Sequence, residues 1–158
     1  MNSIAQRIQA QFPEHLIDAR EAFGELTLQL RREGIAEVCR FLRDDPDLAF
    51  DHITDICSVD YPEDEERFEV VYHFYSIRKR HRIRVKARLP EEDCTIDSLT
   101  GLWRGANFLE REVYDMMGIR FIHHPDLRRI LLTDDFDGYP LRKDFPTEGR
   151  GWRNTFEF

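Results

Sequence analysis

The sequence predicts an α+β domain, with short helices on a mostly antiparallel sheet of about five strands and an extended C-terminal arm. Three observations carry this. Phe68, Val70, Tyr72 and Phe74 alternate with Glu69, Val71, His73 and Tyr75, and the pattern returns at Ile83, Val85, Ala87 and Leu89 after a turn near Arg78 to Arg80. Such period-two patterning describes an antiparallel hairpin with one buried face. Other segments repeat apolar residues at three- and four-residue spacing, the period of an amphipathic helix. Beyond Gly118, Pro125, Gly138, Pro140, Pro146, Gly149 and Gly151 leave hardly any window free of a breaker. The chain therefore divides into an α+β domain, residues 1–118, and a partner-binding arm, residues 119–158.

In chain order, Ile4, Ile8 and Phe12 form the stripe of a first helix, with Ser3 as its cap and Pro13 beyond its end. His15 to Arg20 and Glu25 to Arg31 read as two strands around a turn at Phe23–Gly24. Ile35, Val38, Phe41 and Leu42 make the stripe of a second helix, closed by Asp44–Asp45–Pro46. Leu48 to Tyr61 mixes polar and apolar residues on both faces and reads as one strand with an irregularity. The loop Glu63 to Glu66 is a solvated turn, and Pro90 to Asp97 is an acidic connector. Ser98 caps the turn leading to Trp103.

The third helix runs from about Gly105 to Met117. Its stripe is Ala106, Leu109, Val113, Met116 and Met117, and Gly118 stands where a left-handed C-cap is needed. Glu110, Arg111, Glu112 and Asp115 read as a solvated face from this helix alone, with Arg111 and Asp115 spaced to pair along it. No nucleophile, phosphate-binding loop or metal-ligand spacing accompanies these carboxylates, so no catalytic residue is assigned. After Gly118 only Leu127 to Leu132 could form a helical turn or short strand. The arm is nonetheless unlike a disordered tail. It holds Phe121, Phe136, Tyr139, Phe145, Trp152, Phe156 and Phe158, with seven basic and seven acidic residues. Aromatics with arginines are what interface centres select, so the arm reads as laid over another subunit.

Composition narrows the function classes. The 158 residues suit one domain and carry a net charge of −8, which disfavours nonspecific nucleic-acid binding. All of that charge lies in residues 1–118, with 24 acids against 16 bases. Cys39, Cys57 and Cys94 are isolated and form no CxxC pair, so neither a disulfide framework nor a cysteine-ligated cluster or zinc site is expected. His123 and His124 are adjacent, and neighbouring residues rarely converge on one metal ion. No apolar run reaches the ~18 residues of a membrane span. One basic stripe stands out, from Arg80 through Arg82, Arg84 and Lys86 to Arg88. It reads first as a face meeting acids across the sheet, and alternatively as a surface for an acidic partner or single-stranded nucleic acid, with His73 and Tyr75 as stacking groups.

Three runs resemble a known family: EREVYDMMGIRF at 110–121, HPDLRRIL at 124–131 and DDFDGYPLRKDFP at 134–146. They are similar to the signature of the thirty-kilodalton-type subunit of the proton-pumping NADH:quinone oxidoreductase, respiratory complex I, and Asp60 to Leu89 fits that family's strands. Phe136 and Tyr139 stand where close relatives are expected to carry tryptophan and histidine. The resemblance implies a cofactor-free structural subunit of the hydrophilic arm, on the cytoplasmic side of the bacterial inner membrane and touching the membrane only through the complex. FMN and iron–sulfur clusters would belong to partner subunits. The implied partners are the hydrogenase-large-subunit-like subunit and the cluster-carrying subunit beside it, with no nucleic acid. The implied interface is Glu110, Arg111, Glu112, Asp115, His124, Pro125, Asp126, Arg128, Arg129, Phe136, Tyr139, Leu141, Arg142, Lys143, Asp144 and Phe145. Replacing Arg128 and Arg129 together is expected to lower assembly rather than thermal stability. The alternatives are the equivalent subunit of a membrane-bound nickel–iron hydrogenase, a single-strand-binding module using the Arg80–Arg88 face, and a self-contained enzyme using Glu110, Glu112 and Asp115.

Overall fold

The computed structural model describes residues 3–150, so Trp152, Phe156, Phe158 and the charges among them lie outside the described residues. The chain runs α1 (Ser3–Gln11), β1 (Leu16–Ala22), β2 (Glu25–Leu30), α2 (Ile35–Asp44), β3 (His52–Asp60), β4 (Phe68–Ser76), β5 (His81–Leu89), β6 (Thr95–Asp97), α3 (Ala106–Met117) and β7 (Arg120–Ile122). The three helices and first five strands answer to the patterns read from the sequence, and the fold is α+β.

Five strands make one sheet in the order β1-β2-β5-β4-β3. The β1–β2, β3–β4 and β4–β5 pairs are antiparallel. The β2–β5 pair is parallel, which a hairpin cannot make; the connection between these strands carries α2, β3 and β4 instead. Phe23 and Gly24 close the β1–β2 hairpin with φ of 54° and 76°. Two left-handed residues in succession give the turn whose twist matches that of the flanking strands. The expected irregularity in β3 is a register shift between Ile53 and Asp55, and the strand starts only at His52, after a turn through Leu48–Asp51 with Ala49 at φ 47°.

Leu26, Leu28 and Leu30, then Phe68, Val70, Tyr72 and Phe74, then Ile83, Val85, Ala87 and Leu89, point to one face and are buried with the helix stripes. Trp103 joins them, donating its indole N–H to the Phe50 carbonyl at 3.1 Å and packing 4.7 Å from Phe74. The opposite face carries the basic stripe. There Lys86 and Arg88 meet Glu69 at 2.8 and 3.1 Å, Arg84 meets Glu25 at 3.0 Å, and Arg88 reaches Asp64 at 2.8 Å. The stripe is thus largely neutralised by acids across the sheet.

The sequence reading needs correction in four places. The acidic connector ends in a strand, β6, which pairs in parallel with β7; three-residue strands are too short to show a period. Leu127 to Leu132 forms neither helix nor strand. Glu110 and Asp115 are fully buried in α3 rather than on a solvated face. The described part of the arm lies on its own domain, held by charges that the helical wheel placed outside.

Gly118 marks the junction. It adopts φ 77° and donates its N–H to the Tyr114 carbonyl at 2.8 Å. A Cβ there would stand 2.6 Å from the Tyr139 ring and 2.7 Å from Arg142, so both backbone and space require glycine. Replacing Gly118 with Ala is expected to cost about 2 kcal/mol or more of stability, read as a lower urea midpoint with unchanged slope. A midpoint equal to wild type would contradict the close packing of the arm on α3.

Candidate partner-docking site

Two buried charge centres fix the course of the chain after Gly118. The first is Asp115. Its Oδ2 accepts the backbone N–H groups of Ile130, Leu131 and Leu132 at 3.0, 2.7 and 2.9 Å, and its Oδ1 accepts from Arg129 at 2.8 Å. Burial alone would raise this carboxyl; the three amides and the guanidinium outweigh it and hold the group below its ordinary value. Arg129 in turn donates to the carbonyls of Phe136 and Gly138, both at 3.1 Å, and lies over the Phe136 and Tyr139 rings. One helix residue thereby organises 130–139, a stretch with no ladder of its own. Arg111 does not pair with Asp115 as its spacing suggested. It donates to the Arg128 and Arg129 carbonyls at 3.1 and 2.9 Å and pins the same loop from the next turn of α3.

The second centre is Arg67, whose side chain is 7% exposed. It holds Asp60 by two bonds of 2.7 and 2.9 Å, and its Nη1 reaches Asp144 at 3.0 Å and Glu91 at 2.9 Å. Asp60 also accepts the Lys143 backbone N–H at 2.7 Å. Both Asp60 and Asp144 are drawn below the usual carboxylate range, in each case chiefly by Arg67. Sequence reasoning named Lys143 and Asp144 but not Asp60, Arg67 or Glu91. The only available signal was a charged pair flanking the acidic loop that separates two apolar strands.

Between the two centres the arm caps α3. The last carbonyls of a helix lack intrahelical partners; here Leu141 N–H donates to Met116 O at 3.1 Å and Arg142 Nε to Met117 O at 2.7 Å. The Arg142 cation lies 4.8 Å from the Phe68 ring centre and 4.9 Å from that of Tyr139, near the negative end of the helix dipole. Phe136 and Phe145 stack at 5.9 Å.

Glu110 begins a third cluster. Its carboxylate accepts from the Ser98 hydroxyl and the Leu99 N–H, both at 2.6 Å. No cation neutralises it at bonding distance, and burial pushes its pKa up to about 7 despite those bonds. His124 Nε2 stands 4.0 Å away and bonds the Asn107 carbonyl at 3.1 Å, while its Nδ1 accepts the Asp126 N–H at 3.0 Å. With Nδ1 accepting, Nε2 is the ring nitrogen that donates to the Asn107 carbonyl. Among the described residues no group of His, Cys, Asp and Glu has a metal-holding arrangement.

The sixteen residues expected at an interface therefore divide. Glu110 and Asp115 are buried; Arg111, His124, Arg129, Phe136, Tyr139, Arg142 and Phe145 are half-buried in the arm's own packing; Glu112, Pro125, Asp126, Arg128, Leu141, Lys143 and Asp144 are exposed. Arg129 cannot be removed without leaving the buried Asp115 charge unpaired, so the paired loss of Arg128 and Arg129 should lower stability, against the expectation drawn from the sequence. Missed by the sequence reading are the exposed apolar residues Phe108 on α3 at 62% and, in the arm, Leu131 at 62% and Ile130 at 37%, exposed as Leu141 is at 60%.

The fold and this layer define a small α+β domain whose irregular C-terminal region is locked in place with apolar side chains turned outward. The family described as the respiratory-chain NADH dehydrogenase 30 Kd subunit matches residues 28–151, and the chain belongs to that family of complex I subunits. The corresponding NADH-quinone oxidoreductase subunit of Geobacter metallireducens is 48% identical over 151 residues, 95% of this chain and 92% of that protein. That of Hyphomonas neptunium is 49% identical over 149 residues, 94% of this chain and 73% of that protein. A solved trypsin-resistant fragment of Nqo5 superposes with a TM-score of 0.68 at 34% identity, covering 78% of this chain and 99% of the fragment. A chain of an archaeal membrane-bound sulfane sulfur reductase, at 23% identity and a TM-score of 0.76, shares the fold over 91% of this chain and 84% of its own. Among the described residues no helix is long and apolar enough to cross a membrane.

Two substitutions test the buried charges. Asp115→Ala leaves three amides and Arg129 without their acceptor, and a loss of roughly 3 to 5 kcal/mol is expected in urea unfolding; a loss below about 1 kcal/mol would refute the role given to this group. Glu110 works in the opposite sense. Its folded pKa is raised, so the folded state binds the extra proton, and the associated stability is full below pH 4.5 and is lost as pH rises through about 7. Wild type is expected to lose on the order of 3 kcal/mol across that window relative to Glu110→Gln, whose amide can keep both bonds. Parallel pH profiles for the two proteins would contradict the assignment.

Proposed function

We propose that this chain is a cofactor-free structural subunit of the hydrophilic arm of NADH:quinone oxidoreductase, docking its neighbours through the outer surface of the 119–158 arm while residues 1–118 carry that arm. The observation that supports this most is the pairing of a tightly organised arm with large apolar side chains left outside it. Ile130 and Leu131 are exposed at the point where their own amides are fixed to Asp115. A preorganised apolar surface binds without a further ordering cost, and isolated large apolar groups near arginine suit an interface centre. Arg128, Leu131, Leu141, Phe108 and Glu112 are the contact groups; Asp115, Arg129, Arg142, Asp60 and Arg67 hold the surface from beneath.

The partners in this reading are the subunit that resembles the large subunit of nickel–iron hydrogenase and the cluster-carrying subunit beside it. FMN and iron–sulfur clusters sit in partner subunits, and this chain supplies no catalytic residue. Its contribution to electron delivery to quinone and to the coupled proton translocation is geometric, since transfer depends on a supporting shell that keeps redox groups in place. It lies on the cytoplasmic side of the inner membrane and meets the membrane only through the complex. The names of the relatives favour this branch over a nickel–iron hydrogenase, and the neutralised Arg84–Arg88 face gives no basic track for nucleic acid.

The test replaces Leu131 and Leu141 together with Asp. The isolated chain should keep its melting temperature, because both side chains are outside, while the amount of assembled complex recovered from detergent-solubilised membranes falls at least about tenfold. Assembly at the wild-type level would overturn the reading.

A further inference from the structure

The end of the sheet farthest from the arm carries a second cluster that no contact among the described residues accounts for. Strand β4 runs from Phe68, beside the Arg67 centre, to Ser76, a distance of roughly 26 Å at the usual rise per residue. At its far end the β4–β5 turn is Ile77, Arg78, Lys79 and Arg80, all exposed, with Ile77 at 62%. Among the described residues no carboxylate stands within ion-pair reach of Arg78, Lys79 or Arg80, and Arg82 meets only Glu25, at 3.8 Å. Asp51 is close by, but its carboxylate accepts the Ile77 N–H at 3.0 Å. The parallel pairing of β2 with β5 brings the β1–β2 turn to this same end, where Phe23, Gly24, Arg80 and Arg82 line one cleft together with the acids Glu25 and Asp47. Of these acids, Glu25 is engaged by Arg84 and Asp47 by Arg7.

Phe23 is the unusual member. Its side chain is fully exposed, and its φ is 54°. Turns of this kind favour Asn, Asp or Gly, because a bulky residue meets a steric penalty in the left-handed region. Among the described residues no packing compensates this, since the Phe23 side chain is fully exposed. Strained backbone carrying an exposed aromatic is a signature of a contact made elsewhere.

We propose that Phe23 and Ile77, on two turns at the same end of the sheet as Arg78, Lys79, Arg80 and Arg82, form a second docking surface that takes an acidic segment of a neighbouring subunit. This adds a contact to the docking reading above and rests on it only in assuming that the chain sits in a complex. The chemistry selects a protein acid rather than a phosphate backbone. Behind the turn the cations are matched by Glu25, Glu69 and Asp64, so the positive charge is local and offers no track along which a nucleic acid could run. An aromatic and an aliphatic side chain at an end of the sheet rich in cations left unpaired among the described residues match a segment that alternates carboxylates with apolar residues. The chain would then bridge two neighbours from opposite ends of one rigid strand.

The test uses the assembled complex. A photo-crosslinking residue placed at Ile77 should join this chain to a peptide of another subunit rich in Asp and Glu. The variant Phe23→Asn, Arg78→Glu, Lys79→Glu, Arg80→Asn should lose that crosslink and weaken the chain's hold on the complex at least about tenfold, more so at low salt. Asn suits both left-handed positions, so the melting temperature of the full chain should not fall, which separates docking from folding. Crosslinking to lipid or nucleic acid, to no partner, or to a peptide without acids would overturn the proposal, as would unchanged retention. If the turn variant stays bound while the Leu131 and Leu141 variant dissociates, this inference fails and the arm reading stands; if neither dissociates, both fail.

Discussion

The course of residues 129–139 depends on one carboxylate. Asp115 leaves water on the inner side of α3 and recovers the loss through three consecutive backbone amides and Arg129. A buried charge is costly unless every lone pair is used, so this group tolerates few arrangements of the loop around it. That intolerance gives a stretch without helix or strand a single course. Arg129 then extends the constraint to Phe136 and Gly138, and Arg111 closes it from outside.

Arg67 repeats the device at the other side of the arm, gathering acids from β3, from the segment after β5 and from the arm itself. Paired charges of this kind contribute less to stability than an apolar core of similar volume, but they discriminate sharply between registers of the chain. The sheet and its apolar face hold the domain together, and the charge centres decide where the arm lies. The proposed role, holding other subunits at fixed distances, would need that kind of specificity. The family membership and the outward Leu131 and Leu141 are consistent with such a role.

The legible parts of the fold were those with a period. The hairpin of β4 and β5, the stripe of α2 and the cap at Gly118 followed directly from spacing. β6 and β7 have three residues each and no period to read, and the parallel β2–β5 pairing depends on which edge the later strands choose. The helical wheel of α3 failed in an instructive way, because it assumes that charge faces water. Glu110 and Asp115 face inward since their partners, Ser98, Leu99 and residues 129–132, come from loops that no pattern places. Resemblance to the family named residues in the stretch that the charge centres organise, but it could not say that Glu110 and Asp115 are buried and seven others half-buried, and it did not name Leu131, which is exposed.

The most direct measurement is amide hydrogen exchange on the isolated full-length chain. If Asp115 and Asp60 fix the arm without any partner, the N–H groups of Ile130, Leu131, Leu132 and Lys143 should exchange slowly, at rates approaching those of the central strands, and Asp115→Asn should release the first three while leaving Lys143 protected. Exchange of all four at the rate of an unstructured peptide in the wild-type chain would contradict the account, since the arm would then take its shape only from its partners.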